Sequence, residues 1–431
     1  EVTQATSGAQ AEAFQDSQAH SAKEKDPKEA KVRPTTDQVL RHPPHSLRQE
    51  EPGTWRPEPE GTMAVQSLPG TRVVQPEAMA ATLHEEAASG LPFHQRLRQR
   101  LQWWRQHSIQ VSHLLDQGLK PGWVCPPSLP IRPCFRDQRM TQATKEVLKE
   151  YLQAGILQRI GTLDTVRDTK FLIPWFVLSK PEGEGVKQRL ISDCRAINAH
   201  IPTTHFTLDN WKEIFPHLKR GGWAAKVDLK HAYFHVPLHK EFLPFMRINV
   251  EKDVYQLLAA PFGLNVLPKV WMDIMKVPQR IWRQKGLRSF IYLDDIIVLG
   301  DTKYEAQRAI NLVVETLQEA NLTINLKKSR LEPTQHLEHL GMELDLELGT
   351  LKVPLVKLKA LRKDLGKILT HTTLSARKLA AILGTLRSCL FAIPPLRAFS
   401  FVLDHLVAKA GAKGWDVDVQ ITPELHSEIL A

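Results

Sequence analysis

The chain is poor in cysteine and contains no long apolar run. Its 431 residues include 4 cysteines, which lie far apart at Cys125, Cys134, Cys194 and Cys389. They form neither a C-x-x-C pair nor the spacing of a zinc site, which argues against a disulfide framework and favours a reducing compartment, cytoplasm or nucleus. No apolar stretch approaches the length of a membrane span, and the first residues show no signal-peptide pattern. A membrane partner is therefore not expected.

Two adjacent aspartates interrupt a segment that is otherwise apolar. Residues 290–300 read FIYLDDIIVLG, with β-branched and aromatic residues on both sides of Asp294 and Asp295. Each half has the length and composition of a strand, so the segment predicts a tight β-hairpin with the acidic pair at its bend. Carboxylates in an apolar setting are costly unless something neutralises them, and Mg²⁺ prefers oxygen ligands. An ordinary acidic turn between buried strands is the alternative at this point.

A third carboxylate favours the metal site. Residues 223–233 read WAAKVDLKHAY, where Asp228 follows Val227 and precedes Leu229 in a strand-like stretch. Two-metal phosphoryl transfer needs at least two aspartates that converge on ions about 3.5–4 Å apart. We therefore predict that Asp228 and the acidic pair share one site with two Mg²⁺ ions, which Mn²⁺ could replace.

Several segments together resemble the motifs of reverse transcriptases. YLDD at 292–295 resembles their YxDD motif, and KVDLKHAY at 226–233 resembles their first palm motif. Further segments follow the family's order: KPEGEGVKQRLISDCRAIN at 180–198, PFGLNVLP at 261–268, NLKKSRL at 325–331 and HLGMEL at 339–344.

This resemblance implies an α+β fold, the right-hand polymerase with fingers, palm and thumb, in which an antiparallel palm sheet carries the YxDD hairpin. It implies an RNA-directed DNA polymerase of a retrotransposon, and the motif order is most similar to the tyrosine-recombinase (DIRS) group or a gypsy-type relative. The implied partners are template RNA and DNA, a primer, deoxynucleoside triphosphates (dNTPs) and, in a polyprotein, ribonuclease H, recombinase or integrase domains.

The resemblance also implies roles for single residues. The catalytic residues would be Asp228, Asp294 and Asp295, which are also the metal ligands, and Lys328, which would protonate the pyrophosphate. Because Lys327 lies beside it, the sequence leaves open which of the two lysines corresponds to the family's proton donor. The dNTP-binding residues would be Lys180 and Arg189 on the triphosphate, Tyr233 under the sugar, and Phe262 and Gly263 against the nucleotide. The primer-binding residues would be Tyr292, Leu293, Gly341 and Met342.

Some of these residues have simpler interpretations without the family. Lys180 and Arg189 are then solvated charges on a hairpin, and Tyr233 is a core tyrosine. With the family, a ring at Tyr233 leaves no room for a 2′-hydroxyl and selects deoxynucleotides, while Gly263 permits a close approach of the backbone.

The net charge is +10, and nearly all of the excess lies in residues 355–413, where Asp364 and Asp404 are the only acidic residues. Apolar residues recur there at helical spacing (Leu355, Leu358, Leu361, Leu365, Ile368), and Ser375 is a good N-cap for a second helix. Basic helices after a palm suit a thumb that contacts phosphates. A merely soluble basic helix pair or a membrane-surface helix is the alternative.

The remaining organisation follows from composition. Large apolar residues are rare in 1–92, which predicts disorder or a linker, with a packed small domain as the alternative. We predict an N-terminal helical extension at 93–165, with a helix at 142–157 and one or both of Trp103 and Trp104 in the core rather than stacked on bases. Fingers and palm should occupy 166–349, and the basic thumb or connection 350–413. Residues 414–431 are expected to be a linker towards an absent ribonuclease H domain.

Two other functions remain open from sequence. An RNA-dependent RNA polymerase shares the palm topology, but Tyr233 and Leu293 argue against it. A co-opted or inactive polymerase fold could serve as a nucleic-acid-binding module, but such relics typically lose a catalytic aspartate and this chain keeps all of them.

Overall fold

The computed structural model describes residues 90–124, 127–128, 140–182 and 185–430. The prediction for 1–92 lies outside the described residues except at its last positions. The α-helices are α1 Phe93–Arg96, α2 Leu101–His107, α3 Ile109–Gln117, α4 Gln142–Gln153, α5 Arg195–Asn198, α6 Trp211–Ile214, α7 Leu267–Gln284, α8 Lys303–Glu319, α9 Leu355–Thr370, α10 Ala376–Arg387, α11 Phe401–Gly411 and α12 Pro423–Leu430. Short 3₁₀ helices span Leu97–Arg100, Phe215–His217, Ala232–His235, Leu243–Phe245 and Pro394–Ser400.

The strands are β1 Leu157–Thr162, β2 Trp175–Glu182, β3 Gly185–Ser192, β4 Trp223–Asp228, β5 Arg247–Val250, β6 Asp253–Leu257, β7 Arg288–Tyr292, β8 Asp295–Gly300, β9 Arg330–Thr334, β10 His336–His339, β11 Met342–Asp345, β12 Thr350–Lys352, β13 Thr373–Ser375 and β14 Asp418–Gln420. The chain divides into two compact units. Within the described residues, the larger unit contains 90–340 and 344–349, and the smaller unit contains 341–343 and 350–430.

An antiparallel sheet of four strands, in the order β7-β8-β4-β9, forms the centre of the larger unit. Its strands are rich in β-branched residues, and Ile291, Ile296 and Val227 are fully buried. Helices α7 and α8 pack against this sheet. The predicted α+β fold with an antiparallel palm sheet and a YxDD hairpin is confirmed.

Two further β structures lie in the same unit. Strands β1, β6 and β5 form a sheet, and β2 pairs with β3 as a long antiparallel hairpin. The prediction of a helical extension through 165 is wrong at its end, because α4 stops at Gln153 and β1 follows. Gly155, with φ of 62°, turns the chain between them.

The N-terminal helices are interrupted at Ser108, whose hydroxyl caps α3 by accepting a hydrogen bond from the Val111 N–H at 3.3 Å. Trp104 is fully buried and donates its indole N–H to the carbonyl of Ala320 at 3.2 Å. Trp103 is half-buried and donates to Glu319. The prediction that one of the two tryptophans fills the core is confirmed for Trp104, which therefore offers no face to a base.

The smaller unit is built from α9 to α12. Ser375 accepts a hydrogen bond from the Lys378 N–H at 3.3 Å and begins α10, as the sequence predicts. On α9, Leu361 and Ile368 are buried, but Leu355 is 70% exposed because it lies in the first turn of the helix. The predicted apolar stripe is therefore wrong at its first position.

Residues 414–430 form a short strand and a helix rather than a linker. Strand β14 pairs with β13, and Leu425 of α12 is fully buried. The Glu428 carboxylate accepts hydrogen bonds from the N–H groups of Val402 and Leu403 at the start of α11. The linker prediction is wrong because these short elements close against α9 and α11. None of the described helices has the length and apolar character that a membrane crossing requires.

Candidate active site

The acidic pair lies at the connection between β7 and β8. Tyr292 pairs with Asp295, which leaves Leu293 and Asp294 as a two-residue turn. Leu293 has a left-handed φ of 56°, which residues other than glycine rarely adopt. Its carbonyl accepts a hydrogen bond from the indole N–H of Trp271 at 2.9 Å. The turn is therefore a strained one that the protein around it holds in place.

The third aspartate ends the neighbouring strand β4, where Asp228 is directly opposite Asp295 in the antiparallel register. The Leu229 N–H donates to the carbonyl of Asp294 at 2.9 Å, which ties the end of β4 to the turn. The structure thus brings Asp228, Asp294 and Asp295 to one end of the palm sheet.

The loop before β9 holds Asp228 in place. Asn325 donates from Nδ2 to Asp228 Oδ1 at 2.8 Å, and the Asn325 N–H donates to the Asp228 carbonyl at 2.8 Å. The Asp228 N–H donates to Ser329 Oγ at 3.0 Å. Sequence reasoning did not assign Asn325 or Ser329, although both lie inside the NLKKSRL segment.

The three carboxylates perturb one another. Desolvation raises the pKa of Asp228, and desolvation followed by repulsion from Asp228 raises the pKa of Asp294. Desolvation and the charges of both other aspartates raise the pKa of Asp295 to about 6. Asp228 and Asp295 are half-buried, whereas Asp294 is exposed, so the bend is more open than its apolar flanks predicted.

Lys328 opposes this repulsion. Its charge lowers the pKa of Asp228, Asp294 and Asp295, whereas Lys327 does not contribute to any of these shifts. Of the two neighbouring lysines, Lys328 is therefore the one near the carboxylates. The catalytic role of Lys328 stays a prediction.

The donor set suits hard divalent cations, since it consists of carboxylate oxygens that are crowded together and partly desolvated. In the part of the chain that the structure describes, no group of three or more His, Cys, Asp or Glu side chains is placed to hold a metal ion unaided. The three aspartates are thus neighbours on one rim. That arrangement fits ions shared between carboxylates and phosphate oxygens better than a metal fully enclosed by protein.

Two basic residues of the β2–β3 hairpin act on these carboxylates through their charge. Lys180 is opposite Lys187 and Leu178 is opposite Arg189, so Lys180, Lys187 and Arg189 share one face of the hairpin. The charge of Lys187 lowers the pKa of Asp228, and the charge of Arg189 lowers the pKa of Asp294. Sequence reasoning missed Lys187, although its position two residues before Arg189 was a sufficient signal.

Tyr233 lies on the 3₁₀ helix that follows β4. It is 9% exposed, and its ring lies 5.1 Å from the Phe262 ring, centroid to centroid. Phe262 itself is 42% exposed. Burial, with a smaller contribution from the charge of Asp294, raises the pKa of the Tyr233 hydroxyl. The two predicted nucleotide-binding rings therefore lie side by side, one enclosed and one open to solvent.

Gly263 needs to be glycine for two reasons. Its φ is 101°, and a Cβ at this position would come within 2.6 Å of the Ser192 carbonyl oxygen at the end of β3. Asn198 fixes the same loop with both ends of its amide: Nδ2 donates to the Gly263 carbonyl at 2.8 Å, and Oδ1 accepts from the Asn265 N–H at 3.0 Å. Asn198, which sequence reasoning quoted but did not assign, thus joins two of the motifs.

The predicted primer-binding residues fall in both units. In the larger unit, Tyr292 and Leu293 are half-buried at the palm hairpin. In the smaller unit, Gly341 has a left-handed φ of 69° and Met342 is fully buried at the start of β11. The Met342 side chain therefore supports its strand from inside, and the primer-binding role of all four residues stays a prediction.

Comparisons with known proteins find a match over the segment that contains these residues. Residues 180–344 match the family described as "Reverse transcriptase (RNA-dependent DNA polymerase)". The chain is 27% identical over 169 residues to the "Retrovirus-related Pol polyprotein from transposon opus" of Drosophila melanogaster, which covers 39% of this chain and 16% of the relative. It is 28% identical over 155 residues to the corresponding polyprotein from transposon 297 of the same organism, which covers 36% of this chain and 14% of the relative.

The fold is similar to that of the foamy viral protease-reverse transcriptase, whose structure was solved in complex with double-stranded DNA. The TM-score is 0.54 at 18% identity, over 77% of this chain and 58% of that chain. The chain thus spans a small fraction of the polyproteins it matches. Its residues 180–344 are similar to the reverse transcriptase family, and its relatives include retrotransposon Pol polyproteins.

Proposed function

We propose that the protein is an RNA-directed DNA polymerase, which transfers a nucleotide from a dNTP to a primer 3′-hydroxyl on an RNA template. The observation that carries the proposal is the convergence of Asp228, Asp294 and Asp295 at one end of the palm sheet, opposite basic residues of the β2–β3 hairpin. A strand pair with only a structural role gains nothing from three carboxylates that repel one another. Phosphoryl transfer, by contrast, needs such carboxylates to bind its metal ions.

The carboxylates would hold two Mg²⁺ ions, or Mn²⁺ in their place. Bound there, the ions supply activation of the attacking hydroxyl and neutralisation of the developing phosphate charge. Asn325 keeps one oxygen of Asp228 in a fixed direction, so that this carboxylate does not rotate freely. Lys328, whose charge acts on all three aspartates, would be the proton donor to the leaving pyrophosphate.

Incoming dNTPs would bind between the hairpin and the palm. The face with Lys180, Lys187 and Arg189 suits triphosphate oxygens, because these side chains offer several N–H donors with positive charge. The exposed Phe262 ring offers a surface for the base, and the enclosed Tyr233 ring limits the room for the sugar. A pocket of this kind accepts deoxyribose and excludes ribose.

The nucleic acid would also contact the smaller unit. Its α9 carries Lys359, Arg362 and Lys363 at exposed positions, which suits sequence-independent binding to phosphates. The similar foamy viral enzyme was solved with double-stranded DNA. We extend that kind of partner to this chain as primer–template.

The element that encodes the chain is, in our proposal, of the DIRS or gypsy type, and the motif order supports this assignment. Its polyprotein would then supply ribonuclease H and recombinase or integrase functions, and the chain would act in the cytoplasm or nucleus. A recombinase reading frame beside the gene would identify a DIRS element, and an integrase frame a gypsy-type element.

Primer extension tests the main proposal. The protein is incubated with an oligonucleotide-primed RNA template and dNTPs, in Mg²⁺ or Mn²⁺, beside the variants Asp294→Asn and Asp273→Asn. Asp294→Asn is expected to reduce extension by about 10³-fold or more. The change removes a carboxylate that would hold the metal ions, and the ions would stabilise the charge of the transition state. Asp273, which pairs with two lysines on the surface of α7, is the matched control and keeps activity. Absence of extension by the unmodified protein in either metal would favour a binding module over an enzyme.

A further inference from the structure

One buried residue touches both the catalytic turn and the tyrosine that selects the sugar. Trp271 lies on α7 and is fully buried. Its indole N–H donates to the Leu293 carbonyl at 2.9 Å, and its ring meets the Tyr233 ring edge to face, with centroids 6.4 Å apart and planes at 77°. A centroid separation of this size lies within the range of favourable aromatic pairs.

The bond to Leu293 acts where the backbone is most strained. A left-handed residue with a side chain is stable only when its surroundings hold it, and Leu293 has φ of 56°. The peptide group that accepts the Trp271 bond connects Leu293 to Asp294, so its orientation sets where the next Cα and its carboxylate lie. A hydrogen bond from a fully buried donor fixes that orientation more firmly than water would.

The ring of Trp271 acts on the other side of the site. Tyr233 is enclosed between the rings of Phe262 and Trp271, and His235, on the same 3₁₀ helix, lies 6.0 Å from Trp271. The indole is therefore the wall against which the Tyr233 helix rests. Replacing the ring with an aliphatic side chain would let the tyrosine ring retreat from the sugar, whereas a phenyl ring still packs against it.

We propose that Trp271 is a positioning residue with two separable functions: its N–H sets the catalytic turn at Leu293, and its ring sets the depth of Tyr233. This inference rests on the polymerase function proposed above. It predicts that removing the N–H alone impairs the chemical step, whereas removing the ring also impairs sugar selection.

The same helix provides a matched control. Trp282 is also fully buried on α7, but its indole N–H has no hydrogen-bond partner among the described residues. Phenylalanine at either position keeps a large aromatic ring and deletes the N–H. Any difference between Trp271→Phe and Trp282→Phe therefore reports the bond to Leu293 rather than the loss of indole volume.

Steady-state primer extension on an RNA template tests the two functions. Trp271→Phe is expected to lower kcat about tenfold, the effect of one hydrogen bond, with the KM for dNTP and the preference for dNTP over ribonucleotide unchanged. Trp271→Leu is expected to lose part of that preference as well. Trp282→Phe is expected to match the unmodified protein in all three quantities. Equal kcat for Trp271→Phe and Trp282→Phe, or a loss of preference in Trp271→Phe, would overturn the proposal.

Hydrogen–deuterium exchange tests the same inference without activity. Trp271→Phe is expected to speed exchange in the peptide that contains residues 290–296, and Trp282→Phe is expected not to. If the unmodified protein fails to extend primers but the exchange result holds, the function fails while the positioning by Trp271 stands. If exchange is unchanged in Trp271→Phe, then Trp271 does not hold the turn at Leu293 and the proposal is wrong.

Discussion

Asn325 donates a hydrogen bond from Nδ2 to Asp228 Oδ1 at 2.8 Å, and its own backbone N–H donates to the Asp228 carbonyl at the same distance. One residue thus fixes both the backbone and the carboxylate of the aspartate that ends β4. Residues that orient a metal ligand in this way commonly matter almost as much as the ligand itself.

Replacement of Asn325 by alanine is expected to lower primer extension about 10–100-fold and to raise the Mg²⁺ concentration needed for half-maximal activity. The Asp228 carboxylate then rotates and must be ordered by the ion. Titration of activity with Mg²⁺, together with Mn²⁺ binding followed by electron paramagnetic resonance, measures both effects. Lys327→Ala, an exposed change in the same loop, is the control. An unchanged Mg²⁺ requirement in Asn325→Ala would show that Asp228 needs no such support.

At Gly263, a single added methyl group should push the loop that contains Phe262 and Gly263 away from the end of β3. A Cβ there would come within 2.6 Å of the Ser192 carbonyl, and the φ of 101° disfavours alanine in any case. Gly263→Ala is expected to lower the melting temperature and to raise the KM for dNTP about tenfold or more, because the Phe262 ring is displaced.

Gly384, inside α10, is the matched control, since nothing lies within 4 Å of its Cβ position. Gly384→Ala is expected to raise stability by up to about 1 kcal/mol, the helix preference of alanine over glycine. Thermal unfolding and dNTP titrations of both variants measure the contrast. If Gly263→Ala behaved like Gly384→Ala, the close approach of the Gly263 loop to β3 would be wrong.

Tyr233 is expected to decide which sugar enters. Tyr233→Val removes the ring and should raise ribonucleotide incorporation about 10–200-fold relative to dNTP, the range for small steric changes in a pocket. Tyr233→Phe keeps the ring and should leave the preference unchanged. Single-nucleotide incorporation with dNTP and ribonucleotide in parallel measures the ratio. A preference that survives Tyr233→Val would refute the steric explanation.

The sequence allowed the palm to be predicted because its signals are local. Alternating β-branched residues around Asp294 predict a hairpin, and Val227 and Leu229 predict the burial on either side of Asp228. The contacts that hold these residues are not local. Asn325 and Ser329 meet Asp228 from about a hundred residues away in the chain, and no periodicity encodes such an approach.

The wrong predictions at residues 414–430 and at the end of α4 also come from contacts that are not local in the sequence. Residues 414–430 contain short, weakly apolar elements that read as a linker, yet Leu425 and Glu428 become ordered because α9 and α11 lie beside them. The end of α4 was misplaced because a glycine-assisted turn at Gly155 ends the helix before its apolar pattern does. Tertiary packing decided both cases.

His235 predicts a dependence of stability on pH. It is fully buried, and burial lowers its pKa from 6.5 to about 4. Its Nδ1 lies 3.2 Å from the Ala232 carbonyl and its Nε2 lies 3.3 Å from the Thr323 N–H nitrogen, so the neutral ring donates at Nδ1 and accepts at Nε2. As pH falls from 6.5 towards 4, the unfolded chain binds a proton there that the folded chain does not. Stability should therefore fall with pH, by at most about 1.4 kcal/mol per pH unit for this group.

His235→Gln isolates this contribution, because other buried histidines, such as His339 with its pKa lowered to about 3, shift stability in the same direction. The variant is expected to melt at a lower temperature at pH 7.5, since it loses the ring contact with Phe93, and to show a shallower decline in melting temperature between pH 6.5 and 4.5. His113→Gln, at an exposed position, should keep the slope of the unmodified protein. Parallel slopes for His235→Gln and the unmodified protein would mean that His235 takes up its proton equally in the folded and unfolded chains, contrary to its enclosure beside Thr323.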